Sequence, residues 1–112
     1  MPIETSQRIA FLKKVHLFHG LNEEEMTAVA EELEEMVFPA GTEIVKQGEP
    51  GDTFYLIYAG GVQVKQVGGQ KPIAQLVPGD YFGEEALLSN LRRSATILSQ
   101  EDTTVFVLAR DQ

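Results

Sequence analysis

The residues best suited to bind a ligand are concentrated in one segment, residues 82–96. Gly83 is followed at once by the carboxylates Glu84 and Glu85, and Arg93 stands near the end of the segment. A glycine lets the chain turn sharply and lets a ligand approach the backbone closely, because it has no Cβ. Acidic side chains favour the first turn of a helix, so the two glutamates predict a short helix directly after the turn.

The predicted short helix offers hydrogen-bond donors to an anion. Its first N–H groups, including those of Ala86 and Leu87, have no partner within the helix. The N-terminal end of a helix attracts phosphate groups, and the guanidinium of Arg93 would add a cation opposite the same group. Together these residues predict a pocket for a small ligand that carries a phosphate.

The composition of the 112-residue chain fits one domain with a real core and excludes several functions. With 17 acidic residues against 9 basic ones, the net charge of -8 repels nucleic acid, so we expect no direct nucleic-acid binding. Cysteine is absent, which excludes disulfides and thiolate metal sites. The apolar runs are too short to cross a bilayer and no signal-peptide pattern is present, so we expect a cytoplasmic protein without direct membrane contact.

The sequence offers no constellation for catalysis. The chain has no cysteine that could act as a nucleophile. No serine on a predicted strand has a histidine base within the β-rich part of the chain, which begins at residue 37. His16 and His19 could share a helix face, but without a third ligand of known proximity they do not predict a metal site. A cupin-like metalloenzyme would need histidines after His19, and the sequence has none there. We therefore expect a chain that is not an enzyme and holds neither a metal nor a cofactor.

Two short helices are predicted near the N-terminus. Thr5 or Ser6 would cap a first helix that runs to about residue 15. Asn22 stands three residues before Glu25, which is the pattern of a capping box, and would begin the second helix. Apolar residues recur at helical spacing along that helix and predict its core face: Met26, Val29, Ala30, Leu33 and Met36.

From residue 37 onward, turn residues interrupt the chain every ~8–12 residues, which is typical of an antiparallel roll or barrel. Val62 and Val64 alternate with polar residues, and Val67 follows after two more polar residues, so we expect these valines to face the core. The fold class is therefore mainly β with flanking helices, in one domain 1–112 with helices in 1–36 and an antiparallel, jelly-roll-like β-roll in 37–110. The predicted strands are 37–38, 43–46, 53–58, 62–66, 71–76, 81–82, 95–99 and 104–108.

Segment 82–96 resembles the phosphate-binding cassette of the cyclic-nucleotide-binding domain family. That family includes bacterial catabolite activator proteins, cyclic-nucleotide-dependent kinases and nucleotide-gated channels. The resemblance extends from about Phe18 to Arg110. The four segments that carry it are 18–21, 41–57, 61–64 and 78–84, the last of which runs into the cassette. The resemblance implies a β-roll with a short cassette helix between two strands.

The resemblance also assigns roles to residues of the segment. Glu84 would accept a hydrogen bond from a ribose 2'-hydroxyl, the Ala86 N–H would bind a phosphate oxygen, and Arg93 would supply the cation. In the family, serine or alanine at the position of Ser94 accompanies adenine and threonine accompanies guanine, so cyclic AMP is expected before cyclic GMP. The apolar side chains of Leu76, Leu87, Ala95 and Ile97 are candidates for ligand contact, although core packing explains them equally well. The predicted ligand-binding residues are Gly83, Glu84, Ala86, Leu87, Arg93, Ser94 and Ala95.

Two positions depart from the family pattern. Glu85 stands where an apolar residue is usual, and its negative charge near the phosphate would weaken affinity. Leu91 and Arg92 stand where a small residue or proline is often found. Arg92 is expected at the rim of the pocket, because adjacent residues of a strand point to opposite sides. Taken singly, Gly83 could be only a turn and Arg93 only a surface charge, and it is the combination that favours a binding site.

The resemblance implies a regulatory module that senses cyclic AMP and controls an output domain or partner subunit outside this chain. In the family a helix after the last strand closes over the base, and the sequence stops at Gln112 before such a helix, so we expect the lid to be missing. The alternative hypotheses are a ligand-free β-roll that serves as an interaction scaffold and a cupin-like metalloenzyme.

Overall fold

The computed structural model describes residues 3–48, 53–66, 74–83 and 95–109. They contain two α-helices, α1 (Thr5–Leu12) and α2 (Glu23–Glu32), joined through a short 3-10 helix at His16–Phe18. Each predicted strand has a counterpart, although residues 71–73 of the fifth lie outside the described ranges. The strands are β1 (Glu34–Phe38), β2 (Glu43–Val45), β3 (Thr53–Ala59), β4 (Val62–Lys65), β5 (Ala74–Leu76), β6 (Tyr81–Phe82), β7 (Thr96–Ser99) and β8 (Thr103–Ala109).

Helix α2 begins where its capping box predicts. The Asn22 Oδ1 atom accepts from the Glu25 N–H at 2.8 Å, and the Glu25 Oε1 atom accepts from the Asn22 N–H at 2.9 Å. Each side chain thus provides a partner for a backbone donor that the helix itself leaves unpaired. These two hydrogen bonds confirm the predicted start of α2. The start could be predicted because it depends only on residues that are close together in the sequence.

Helix α1 differs from its prediction at both ends. It begins after Glu4, whose N–H donates to the Gln7 side chain at 3.1 Å, so neither Thr5 nor Ser6 is the cap. It ends at Leu12, whereas the prediction extended it to about residue 15. The N–H groups of Lys14 and Val15 bind carbonyls three residues back, and Val15 is buried with an extended backbone. The chain therefore leaves the helix after Leu12, and Val15 packs into the core in an extended conformation where the prediction had a last helical turn.

The prediction that Met36 belongs to the core face of α2 was wrong. Helix α2 ends at Glu32, and Leu33 has an extended backbone and is buried. The Arg8 guanidinium donates to the carbonyls of Ala30 at 3.1 Å and Leu33 at 2.6 Å. It thus gives hydrogen-bond donors to carbonyl groups that have no partner within the helix at its C-terminal end. Met36 consequently lies on β1, with 41% of its surface exposed.

The strands form two four-stranded antiparallel sheets, as the β-roll prediction requires. The first sheet has the order β1-β8-β3-β6 and the second has the order β2-β7-β4-β5. Except for β4 and β5, which pair with each other in the second sheet, consecutive strands lie in different sheets. The roll is therefore closed by connections that pass from one sheet to the other.

The central strands of the first sheet are apolar on both faces because both faces are covered. Phe54 and Phe106 belong to a cluster with residues of the two helices, including Leu12. Ile57 and Val105 belong to a second cluster, which lies between the sheets and includes Val62, Phe82 and Ile97. Val62 and Val64 of β4 face this second cluster, as predicted from their alternation, whereas Val67 lies outside the described residues. No helix in the described ranges is both long enough and apolar enough to span a membrane.

Candidate functional site

The predicted binding segment begins at a backbone position that favours glycine. Gly83 directly follows β6, is buried, and has a φ of 83°. This left-handed conformation is strained for a residue with a side chain, whereas glycine adopts it readily. Gly83 therefore stands directly after the strand in a conformation that glycine adopts more readily than other residues. The turn predicted here continues into residues 84–94, which lie outside the described residues.

The other end of the segment is anchored on the second sheet. Ala95 is half-buried and directly precedes β7, whose first residue, Thr96, pairs with Lys65 of β4. The Thr96 Oγ1 atom accepts a hydrogen bond from the Gln47 N–H at 3.0 Å, just after β2. Thr96 is thus held both by its sheet partner and by the loop that follows β2.

The two anchors lie on different sheets, so residues 84–94 connect one layer of the roll to the other. Strand β6 lies at the edge of the first sheet, next to β3, whereas β7 lies inside the second sheet, between β2 and β4. Among the predicted ligand-binding residues, Gly83 and Ala95 are described. The others, Glu84, Ala86, Leu87, Arg93 and Ser94, lie outside the described residues, and so do Glu85, Leu91 and Arg92.

The interior between the anchors is apolar. Phe82 and Ile97 are 7% and 5% exposed, and both belong to the cluster between the sheets. Leu76 and Val64 pack against that cluster and are only half-buried. Packing thus accounts for the burial of Ile97, while Leu76 retains accessible surface on β5. An apolar surface of this kind can cover the flat ring of a ligand, and ligand pockets combine such a surface with a few polar groups that fix the orientation of the ligand.

One aromatic contact at the entrance of the segment was missed by the sequence analysis. The rings of Tyr55 and Phe82 are stacked, with centroids 4.8 Å apart and an interplanar angle of 13°. The two residues are direct partners in the β3–β6 pairing. The available signal was an aromatic pair in each strand, Phe54-Tyr55 and Tyr81-Phe82, but the pairing of the two strands could not be read from spacing alone.

Titratable groups do not assemble into a metal centre in the described part of the chain. It contains no group of three histidine, aspartate or glutamate side chains that could hold an ion. The rings of His16 and His19 have centroids 5.0 Å apart. Lys13 lowers the pKa of Glu23 through a hydrogen bond and its positive charge, and this exposed pair links the regions of α1 and α2.

Comparison with known proteins identifies the kind of domain to which this geometry belongs. A model of the family described as Cyclic nucleotide-binding domain matches residues 35–112. The chain belongs to this family. The assignment confirms the resemblance that the cassette residues and turn spacing predicted.

Relatives of this cyclic nucleotide-binding domain include regulatory subunits of protein kinases. The cAMP-dependent protein kinase regulatory subunit of Emericella nidulans is 39% identical over 102 residues, which cover 91% of this chain and 25% of that protein. The chain therefore spans about a quarter of the length of this curated relative.

Solved structures of regulatory subunits share the fold. The regulatory domain of Toxoplasma gondii PKA with cAMP has a TM-score of 0.86 and 34% identity, over 96% of this chain and 42% of that one. A triple variant of the regulatory subunit of a cAMP-independent protein kinase A from Trypanosoma brucei, bound to cAMP in the A site, has a TM-score of 0.85 and 27% identity. That match covers 95% of this chain and 40% of the other. The β-roll architecture is thus shared across these kinase subunits.

Proposed function

We propose that this domain binds cyclic AMP between its two sheets and thereby regulates a partner outside this chain. The observation that carries the proposal is the placement of Gly83 and Ala95. Gly83 ends β6 on one sheet and Ala95 precedes β7 on the other, so the intervening residues span the layers of a cyclic nucleotide-binding domain. This connection between the two sheets supports the proposal that residues 84–94 form the cassette.

In this proposal different residues of the segment bind different groups of the ligand. Gly83 admits the sugar close to its backbone, and Glu84 accepts a hydrogen bond from the ribose 2'-hydroxyl. The Ala86 N–H, and the Leu87 N–H beside it, face the cyclic phosphate at the start of the short helix. Arg93 neutralises that phosphate, which is essential in a chain whose net charge is -8.

The Trypanosoma brucei variant supports this assignment. Its substitutions introduce an alanine, an arginine seven residues further along and another alanine directly after the arginine, and the variant is bound to cAMP. This chain carries Ala86, Arg93 and Ser94 with the same spacing. The alanine and the arginine are thus already present here, in a sequence that is 27% identical to that protein.

The preference for cyclic AMP over cyclic GMP depends on Ser94 and on the relatives. A serine at this cassette position provides a short hydroxyl for the phosphate without the extra methyl group of threonine. The Toxoplasma gondii structure with cAMP and the cAMP-dependent kinase subunit of Emericella nidulans point to the same nucleotide. We therefore propose cyclic AMP as the physiological ligand.

The output of the domain is proposed to be a protein kinase, because the curated relatives include cAMP-dependent protein kinase regulatory subunits and a cGMP-dependent protein kinase. The domain itself does no chemistry in this proposal. Ligand binding would bias an attached or associated partner through a difference in affinity for two states of the regulator. The cytoplasmic location predicted from composition fits such a role and stays a prediction.

Calorimetric titration of the chain with cyclic AMP, cyclic GMP and 5'-AMP tests the ligand assignment. We expect one saturable site, tighter binding of cyclic AMP than of cyclic GMP, and weak binding of 5'-AMP, which lacks the cyclic phosphate. A ligand present at 1,000 times its dissociation constant should also stabilise the fold by about 4 kcal/mol. The absence of both heat and thermal shift at millimolar cyclic nucleotide would reject the proposal.

A ligand-free interaction domain is the second candidate, and one observation favours it. The Trypanosoma brucei relative belongs to a kinase described as cAMP-independent, so the same fold occurs in a regulator that is not named for that ligand. This candidate predicts that the same titration gives no signal with either nucleotide. The cupin-like alternative does not fit a chain that belongs to the cyclic nucleotide-binding family.

A further inference from the structure

Strand β6 is too short to be fixed by backbone pairing alone. It contains two residues and pairs with β3 only at Tyr55↔Phe82 and Leu56↔Tyr81. The turn before it is docked on β3, since the Ile57 N–H donates to the Asp80 carbonyl and the Gly79 N–H to the Ile57 carbonyl, both at 2.9 Å. The position of its far end, from which the chain enters Gly83, therefore depends on side-chain packing.

Aromatic rings of β3 hold β6 on both faces. Phe54 contacts Tyr81 on the helix side of the sheet, with centroids 5.6 Å apart. Tyr55 stacks on Phe82 on the side that faces the second sheet. Cross-strand aromatic pairs of this type stabilise a sheet and have a preferred geometry. The Tyr55 ring is thus a contact that fixes Phe82, the residue directly before Gly83, in addition to the packing of Phe82 in the cluster between the sheets.

We propose that Tyr55 is a positioning residue for cyclic-nucleotide binding. Its ring fixes Phe82, Phe82 fixes the backbone of Gly83, and Gly83 sets the direction in which the chain enters residues 84–94. The inference rests on the proposed function, because the affected ligand is the one that this segment binds. The ribose and the cyclic phosphate are common to cyclic AMP and cyclic GMP. Displacement of Gly83 should therefore reduce the affinity for both nucleotides by the same factor.

A matched control separates positioning from general stability. Tyr58 lies on the same strand but on the opposite face, where its ring contacts Phe11 at 5.0 Å and Phe106 at 5.1 Å. Its replacement should reduce stability without moving the entrance of the segment. Tyr55→Leu and Tyr58→Leu remove the same ring from the same strand, so a difference between them in affinity separates the role of Tyr55 in binding from a general loss of stability.

The test measures dissociation constants for both nucleotides, and melting temperatures, in the wild type and in Tyr55→Leu, Tyr55→Phe and Tyr58→Leu. We expect Tyr55→Leu to raise both dissociation constants by the same factor, about tenfold. Tyr55→Phe keeps the stacked ring and should therefore bind both nucleotides more tightly than Tyr55→Leu does. Tyr58→Leu should stay within about twofold of the wild type despite its lower melting temperature. Equal affinities of Tyr55→Leu and Tyr58→Leu for cyclic AMP would overturn the proposal. If Tyr55→Leu does not fold, Tyr55→Met takes its place with the same expectations.

A second measurement keeps this inference separate from the proposed function. Amide hydrogen exchange of a peptide that covers β6 and Gly83 requires no ligand. It should be faster in Tyr55→Leu than in Tyr58→Leu once both are compared under conditions of equal global stability. If the wild type binds no cyclic nucleotide but exchange rises as expected, the proposed function fails while the positioning role of Tyr55 holds. Unchanged exchange in Tyr55→Leu would refute the positioning role irrespective of binding.

Discussion

The guanidinium of Arg8 donates a hydrogen bond of 2.6 Å to the main-chain carbonyl of Leu33, at the point where α2 gives way to β1. The same side chain donates to the carbonyls of Ile3 and Ala30 and lies 3.8 Å from a carboxylate oxygen of Glu35. Its side chain is 14% exposed. Arg8 thus joins α1, the end of α2 and the first strand of the roll.

Replacement of Arg8 should destabilise the whole domain. Arg8→Met keeps much of the apolar stem but leaves three carbonyls and Glu35 without their cation, so we expect a loss of about 2–4 kcal/mol. Urea denaturation would show this loss as a lower midpoint at an unchanged slope. Lys46→Met serves as the control, because Lys46 pairs with Glu43 on the surface at 3.7 Å and should change stability by less than about 0.5 kcal/mol. Equal effects of the two substitutions would contradict the role of Arg8.

Two glycines with similar backbone angles should respond differently to alanine. Gly41 and Gly60 have φ values of 84° and 92°, so each alanine would cost roughly 1–2 kcal/mol in backbone strain. At Gly60 an added Cβ would also lie 2.5 Å from the Asp102 carbonyl oxygen and 2.7 Å from the Thr103 Cα, whereas nothing lies within 4 Å of it at Gly41. We therefore expect Gly60→Ala to cost about 1–3 kcal/mol more than Gly41→Ala in chemical denaturation. Similar losses would show that the β3–β4 turn yields to the added atom.

The sequence predicted the parts of the fold that depend on local chemistry. The start of α2 was predictable from Asn22 and Glu25, which contact each other within one turn. The alternation of Val62 and Val64 predicted their inward orientation. The end of α2 was not predictable, because it is set by Arg8, more than twenty residues away, and Met36 was therefore assigned to the wrong element.

For the candidate site as well, features that depend on neighbouring residues could be predicted, whereas features that depend on distant residues could not. A conformation that requires glycine could be predicted at residue 83 because it depends on local chemistry, and the φ of Gly83 is positive. The turn into residues 84–94 stays a prediction. The stack of Tyr55 on Phe82 depends on which strands are neighbours, which no residue pattern within either strand encodes. The roles of Glu84 and Arg93 remain predictions that binding measurements must test.

Arg93 is expected to supply most of the affinity for the phosphate. Arg93→Ala should weaken cyclic AMP binding by about 2–5 kcal/mol, roughly thirtyfold to several thousandfold, because it leaves the phosphate unpaired in an acidic protein. Arg92→Ala is the matched control, since the neighbouring arginine is predicted at the rim and should change affinity by less than about threefold. Calorimetry on both variants decides the assignment. Unchanged affinity in Arg93→Ala, or a larger loss in Arg92→Ala, would reject Arg93 as the phosphate ligand.

Glu84 is expected to distinguish ribose from deoxyribose. A hydrogen bond to an ionised carboxylate contributes about 1.5–3 kcal/mol, so the wild type should bind cyclic AMP roughly 10–150 times more tightly than 2'-deoxy cyclic AMP. In Glu84→Ala this ratio should fall close to one, because the partner of the 2'-hydroxyl is gone. Glu85→Gln provides the comparison: it removes a negative charge near the phosphate, so both ligands should bind more tightly while their ratio is preserved. A wild type that binds both ligands equally, or a ratio that survives in Glu84→Ala, would show that the sugar is recognised by another group.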